Sequence, residues 1–165
     1  MNESVFHEIF TLHYKRVYNF IYGRLLKREA AEDVTEEVFL SVWKNLAGFD
    51  AEKASMATWL YTIAANKTTN YLKQAYLRYE VSVTEFPERA EQADGAMFFD
   101  PQNRTSFRIL SRLTDAEREF LMMRYEMGLD NNEVARMLGK TPASVSARYS
   151  RLLKKCRVLA EEGRR

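Results

Sequence analysis

Apolar residues recur at helical spacing along most of the chain, and no run alternates apolar and polar positions as a strand would. In the first half, three such patterns predict helices over about residues 4–27, 31–46 and 56–76. The second pattern stops near Gly48, a residue type common at helix C-termini. Because each helix has one apolar face, the three can share a single core.

The periodicity is lost between residues 79 and 103. The stretch from Glu80 to Asn103 has six acidic residues, one arginine, two prolines and a glycine, which is typical of a linker. Helical signals then resume. The sequence therefore predicts an all-α fold in which two small helical domains, 1–78 and 104–165, are joined by an acidic linker at 79–103.

Helix starts are closely spaced in the second domain. Thr114 and Glu117 form the pattern of a capping box, and Asp130 and Glu133 repeat it. Thr141 followed by proline predicts a third start, because proline is favoured in the first helical turn. These three starts predict a compact domain of short helices.

A helix-turn-helix is predicted at 131–150. Ala135 is a small residue for the helix crossing, Gly139 suits the turn, and Val145 can anchor the second helix. The second helix has an apolar stripe on one face and a basic face on another, as expected for a helix that binds DNA. The residues expected to contact DNA are Ser144, Ser146, Ala147, Arg148, Arg151, Lys154 and Lys155. An ordinary helical hairpin with a solvated basic face is the alternative.

The net charge of +2 says little, but charge is unevenly distributed. Five acids and no base lie between Glu29 and Glu37, whereas seven bases and one acid lie between Asn131 and Arg157. On the second predicted helix, the face opposite the core is acidic and includes Leu40, with Trp43 at its edge. Apolar anchors in an acidic surface favour a docking site for a basic protein. Early acids also favour the helix dipole, but that alternative does not explain Leu40.

A polar strip follows one face of the third predicted helix. It consists of Thr62, Asn66, Thr69 and Lys73, beside Trp59 and Asn70. Short hydrogen-bonding groups, a cation and an aromatic ring suit unpaired bases and phosphate. A solvated polar face is the alternative.

Two blocks of sequence resemble a known family. The segments "AAEDVTEEVFLSVWKNL" and "TWLYTIAANKTTNYLK" resemble region 2 of bacterial sigma factors, and the segment from "LSRLTDAEREF" to "RYSRLLKK" resembles region 4. With only these regions and a short linker, the chain is similar to the extracytoplasmic-function (ECF) group.

The resemblance implies that region 2 docks on the clamp helices of core RNA polymerase. The implied contacts are Asp33, Glu36, Glu37, Leu40 and Trp43. It also implies that the third helix, with the polar strip, and the loop from Gly48 to Ser55 open and hold the −10 element. It implies further that region 4 reads the −35 element of promoter DNA, and that the helix from Thr114 to Met127 meets the polymerase flap. An anti-sigma factor is an expected partner.

Other classes of function find little support. His7 and His13 are six residues apart, which is not same-face spacing, and the single cysteine lies on an apolar stripe. We therefore expect no catalytic site, metal or cofactor, no membrane insertion, and a cytoplasmic location, with an anti-sigma factor as a potential membrane tether. Two alternatives stay open: a helix-turn-helix regulator with an N-terminal dimerisation or sensing domain, and an adaptor that binds only proteins.

Overall fold

The computed structural model describes residues 2–78 and 103–163, and within these ranges it contains seven α-helices and no strand. The helices are α1 (Asn2–Leu25), α2 (Arg28–Asn45), α3 (Met56–Leu77), α4 (Arg104–Ser111), α5 (Asp115–Tyr125), α6 (Asn131–Leu138) and α7 (Pro142–Glu162), with a 3-10 turn at Leu46–Gly48 after α2. The all-α prediction is confirmed, but α4 was not predicted as a separate element. Except for Asn103, the predicted linker lies outside the described residues.

Helices α1, α2 and α3 form a first bundle around the apolar faces that the sequence predicted. Its centre includes Phe20, Val38 and Leu60, all fully buried. The corner between α1 and α2 is made by Leu26, whose φ of 55° is unusual for a residue other than glycine. Because Leu26 is itself buried, packing of its side chain offsets this strain.

Helices α4 to α7 form a second bundle that is held by an aromatic pair. The ring of Tyr149 on α7 stacks on Phe120 of α5 at 3.9 Å between ring centres. The Tyr149 hydroxyl donates a hydrogen bond of 2.7 Å to the backbone carbonyl of Phe120. This pair fixes α7 against α5 through both an apolar and a polar contact.

The predicted helix starts are present, with one correction. Thr114 and Glu117 form the full capping box, and Thr141 caps α7 by accepting from the backbone N–H of Ser144. Asp130 accepts from the backbone N–H of Glu133, as predicted. However, the side chain of Glu133 does not return to Asp130; it accepts hydrogen bonds from the first bundle, so the second capping box is only half formed.

The two bundles are packed against each other through α1 and α5. Every residue from Asn19 to Leu26 is buried, because α2 and α3 cover one side of α1 and α5 covers another. A Cβ atom added to Gly23 of α1 would lie 3.1 Å from Cγ of Met122 on α5. The glycine therefore allows α5 to approach α1 closely.

The turn of the helix-turn-helix depends on Gly139, which ends α6 with a φ of 64°. Its backbone N–H donates to the backbone carbonyl of Arg136, and the backbone N–H of Lys140 donates to the carbonyl of Ala135. Nothing lies within 4 Å of a Cβ built on Gly139, so only the backbone conformation requires glycine there.

We predict that Gly139→Ala lowers the free energy of unfolding by roughly 1–2 kcal/mol, the usual cost of a left-handed conformation for an L-residue. Urea unfolding followed by circular dichroism measures this change. Gly48→Ala is the matched control, because its Cβ also meets nothing and its φ is not positive. Equal stability of the two variants would contradict the role given to the turn.

Candidate interfaces for protein and nucleic acid

The acidic face of α2 is exposed as the sequence predicted. Asp33, Glu36 and Glu37 all face solvent, and Leu40 and Trp43 are 59% and 47% exposed. The opposite face of α2 is buried. The large apolar side chain of Leu40 is therefore exposed to water in the middle of a carboxylate surface. This exposure is unfavourable in free energy, and packing among the described residues does not account for it.

An aromatic groove of about 490 Å³ runs beside this face, between α1 and α2. Its α2 side consists of Glu36, Phe39, Leu40 and Trp43, and its α1 side of Phe6, Phe10 and Tyr14. The α1 side of the groove was not predicted from the sequence, although Phe6 and Phe10 fall at helical spacing in the first predicted helix. The groove makes the apolar part of the surface larger than α2 alone suggests.

The polar strip on α3 is divided into two parts. Four of its residues are exposed: Thr62, Asn66, Asn70 and Lys73. The other two are engaged within the protein, since Thr69 accepts a 3.3 Å hydrogen bond from Arg24 and Trp59 packs 4.9 Å from the ring of Phe49. The four exposed side chains therefore lie together on one face of α3. Thr69 and Trp59 lie beside them and are held by contacts within the protein.

The basic face of α7 is fully displayed. All seven predicted contact residues are exposed: Ser144, Ser146, Ala147, Arg148, Arg151, Lys154 and Lys155. The buried stripe of the same helix is the predicted one, with Val145, Tyr149, Leu152 and Cys156 inside.

Two cations of this face already have partners within the second bundle. The guanidinium of Arg148 lies 4.0 Å from the ring centre of Phe120, a cation–π geometry. Lys155 donates to both carboxylate oxygens of Glu117, at 2.9 and 3.0 Å. The pKa of Glu117 is lowered, first by the backbone N–H of Thr114 and then by Lys155. Arg151, by contrast, makes no ion pair with any described residue.

Several other chemistries find no support in the described part of the chain. No group of three or more histidine, cysteine or acidic side chains is placed to hold a metal ion there. Cys156 is buried, and burial raises the pKa of its thiol to about 11, which suits a core residue and not a nucleophile. Among the same residues, no helix has both the length and the apolar character required to cross a bilayer.

The order of the two bundles matches known sequence families. Residues 9–77 match the family description "Sigma-70 region 2", and residues 107–156 match "Sigma-70, region 4". A protein from Mycolicibacterium vanbaalenii, the ECF RNA polymerase sigma factor SigK, is 30% identical over 150 residues, which cover 86% of this chain and 76% of that protein. The chain belongs to the ECF sigma factors.

Two further relatives support this membership. SigK of Mycobacterium tuberculosis H37Rv is 28% identical over 162 residues, with 94% of this chain and 86% of SigK covered. The ECF sigma factor BldN of Streptomyces coelicolor is 27% identical over 152 residues, covering 90% of this chain and 58% of BldN. The chain thus spans less than two thirds of the length of BldN.

Solved structures show the same fold at low identity. The sigma factor RpoE from Bartonella quintana, in complex with the anti-sigma factor NepR, has a TM-score of 0.74 and 18% identity, with 94% of this chain and 96% of RpoE covered. CnrH, in complex with the cytosolic domain of CnrY, has a TM-score of 0.66 and 19% identity, with 97% and 90% covered. Membership of the ECF sigma factors means a promoter-specific transcription initiation factor, so a helix-turn-helix regulator with a dimerisation or sensing domain is not favoured.

In this ECF sigma factor, sequence reasoning missed the contacts between the two bundles. Arg24 of α1 donates to both carboxylate oxygens of Asp115, at 3.0 and 3.3 Å. Glu133 of α6 accepts from the hydroxyls of Thr58 and Ser55, at 2.6 and 3.0 Å. One signal was present in the sequence, since an arginine inside the apolar run "YNFIYGRLL" needs a buried partner.

Proposed function

We propose that this chain binds core RNA polymerase and directs it to specific promoters for transcription initiation. The observation that carries the proposal is that one chain displays three separate surfaces: an acidic face with apolar anchors, a polar strip, and a basic helix-turn-helix. Their order along the chain is that of the matched sigma regions. On this proposal, residues 1–78 act as region 2, residues 104–165 act as region 4, and the acidic linker at 79–103 joins them.

The proposed polymerase site is the acidic face of α2, formed by Asp33, Glu36, Glu37, Leu40 and Trp43. An acidic rim around apolar side chains complements a basic partner that presents an apolar residue, and the proposed partner here is the clamp helices of core polymerase. Helix α5 is the proposed contact of the flap. The adjoining aromatic groove provides the pocket that an anchoring side chain needs.

The proposed DNA sites are the α3 strip and the exposed face of α7. Exposed Thr62, Asn66, Asn70 and Lys73 are available to single-stranded bases and phosphates of the −10 element, with Trp59 and Thr69 beside them. The helix-turn-helix presents α7 to the major groove of the −35 element. The chain contributes no catalytic group of its own on this proposal.

We also propose that this chain is cytoplasmic and that an anti-sigma factor binds it. The relatives RpoE and CnrH were solved with NepR and with the cytosolic domain of CnrY. A partner with such a cytosolic part would keep this chain at the membrane without inserting it.

We predict that Leu40→Ala combined with Glu37→Lys weakens binding to core polymerase. Truncation of an interface anchor commonly costs about 1–2 kcal/mol or more, and the lysine reverses one attractive charge. Fluorescence anisotropy of the labelled chain with purified core polymerase gives the affinity. The matched control is Leu12→Ala with Glu8→Lys, since Leu12 is also exposed, at 64%, and lies away from the acidic face. Undiminished affinity of the Leu40 variant would rule out this docking site.

We predict that Asn66→Ala and Lys73→Ala impair promoter opening more than initial promoter binding. Contacts to unpaired bases form only after the strands separate, so their loss should affect opening and not the initial complex. Permanganate reactivity of thymines measures opening, and filter binding measures initial binding. Gln74→Ala, on the same helix beside the strip, should change neither. Normal thymine reactivity in both variants would argue against the strip.

We predict that Arg151→Ala flattens the preference among −35 sequences, whereas Lys154→Ala weakens all of them alike. An arginine on a guanine edge gives roughly 1–3 kcal/mol of discrimination. A lost phosphate contact lowers affinity uniformly and the salt slope by about one unit. Arg151 is the better probe than Arg148, because Arg148 also packs on Phe120.

Holoenzyme binding to a −35 library across a salt series provides this measurement. If Lys154→Ala reorders the library and Arg151→Ala does not, the proposed placement of α7 in the groove is wrong.

A further inference from the structure

The carboxylate of Glu117 lies among the cations that were predicted to contact DNA. It lines a cleft of about 320 Å³ between α5 and α7, together with Arg148, Arg151, Leu152 and Lys155. Three of these four neighbours are cations of the basic face. An anionic group of the chain itself is therefore already present where α7 is proposed to meet the phosphates of DNA.

Glu117 is held from two sides. Within its own helix, its Oε1 atom accepts a hydrogen bond of 3.0 Å from the backbone N–H of Thr114, which forms half of the capping box of α5. From α7, Lys155 donates to Oε1 at 3.0 Å and to Oε2 at 2.9 Å. The pKa of Glu117 is lowered, chiefly by the hydrogen bond from Thr114, so the carboxylate is ionised at neutral pH. Movement of this carboxylate away from Lys155 would therefore disturb the cap as well.

The ion pair between Glu117 and Lys155 matters more for its net charge than for stability. The two side chains are 25% and 47% exposed, and an ion pair that is partly solvated stabilises a fold only slightly. An ammonium group in contact with a carboxylate has no net charge, however. Affinity for DNA depends on the counterions that are released as cations neutralise phosphates, and a neutral pair releases none.

The other cations of the basic face keep their charge available. The guanidinium of Arg148 lies over the ring of Phe120, a contact that leaves its positive charge uncompensated. Arg151 and Lys154 are exposed, and neither makes an ion pair with a described residue. Among the predicted DNA contacts, all of which belong to the described part of the chain, only Lys155 is neutralised by an ion pair.

We infer that Glu117 withholds Lys155 from the phosphates of the −35 element, so that the two residues meet DNA as one neutral unit. Glu117 thereby limits the number of phosphates that α7 engages, and with it the affinity and the salt dependence of −35 binding. Because phosphate contacts carry no sequence information, the order of preference among −35 sequences is left unchanged. This inference rests on the proposed function and adds to it a residue of α5 that tunes the affinity of α7.

The experiment compares four forms of the full chain as holoenzyme with core polymerase: the wild type, Glu117→Gln, Lys155→Ala and the double variant. The amide oxygen of a glutamine can still accept from the N–H of Thr114, so the capping box is retained. Fluorescence anisotropy measures the binding of each holoenzyme to promoter fragments that differ in the −35 element, across a salt series. Circular dichroism and the affinity for core polymerase control for folding and for holoenzyme formation.

Each form presents a different charge to DNA. Glu117→Gln frees one cation, so it should bind all −35 sequences roughly three- to tenfold more tightly at low salt, with a salt slope steeper by about one unit. Lys155→Ala leaves the carboxylate uncompensated and should weaken binding to all of them. The double variant removes both charges, so its affinity should match that of the wild type within about twofold and its salt slope should be unchanged.

The matched control for net charge is Glu161→Gln. Glu161 is an exposed residue of the last turn of α7, and it makes no ion pair with a described residue. Its removal changes the net charge of the chain as Glu117→Gln does but frees no cation. Because exposed charges are screened by salt over about 8–10 Å, the affinity should change by less than about twofold.

Three results would count against the inference. An unchanged affinity of Glu117→Gln overturns it, because Lys155 was then not withheld. A double variant that loses about one unit of salt slope also overturns it, because Lys155 then contacts phosphate in the wild type. Both of these results leave the proposed function standing. A wild-type holoenzyme without preference among the −35 sequences refutes the proposed −35 reading, and this inference with it.

Discussion

The arrangement of the molecule depends on the burial of one guanidinium group. Arg24 lies where α1, α3 and α5 meet, and there it donates to Asp115 and to the hydroxyl of Thr69. A buried cation without a counter-charge would cost several kcal/mol, so α5 is required next to α1 as long as this site excludes water. The buried stretch of α1 lies in a single hydrophobic core that contains buried residues of both bundles.

How much of this was predictable from the sequence differs between local and long-range features. The three N-terminal helices, the turn at Gly139 and the buried stripe of α7 were predicted, because each follows from periodicity or from backbone conformation within a few residues. The exposed Leu40 was predicted for the same reason. The side chain of Glu133 was not, because the capping pattern is local, whereas its actual partners lie 75 and 78 residues away. The spacing of residues in the sequence does not indicate whether a carboxylate accepts from the N-cap backbone of its own helix or from hydroxyl groups far along the chain.

The second bundle provides a rigid support for the exposed side chains of α7. Tyr149 stacks on Phe120 from one helix, and Arg148 of the same helix lies over the same ring. The orientation of α7 is therefore fixed by aromatic packing beneath its basic face, so little conformational entropy remains to be lost there on binding. The exposed cations with fewer internal contacts, Arg151 and Lys154, keep more side-chain freedom.

The ion pair between Lys155 and Glu117 has a consequence for polyanion binding in general. A phosphate that approaches the ammonium group of Lys155 meets a carboxylate that already accepts from it and is held in place by the Thr114 cap. Whether the carboxylate is displaced or shares the ammonium group, its negative charge remains nearby, so part of the attraction is cancelled by repulsion. Glu117 thus acts as an internal competitor that lowers the affinity of this part of α7 for nucleic acid of arbitrary sequence. Since indiscriminate binding sites far outnumber cognate ones in a genome, such a penalty raises the fraction of molecules free to search.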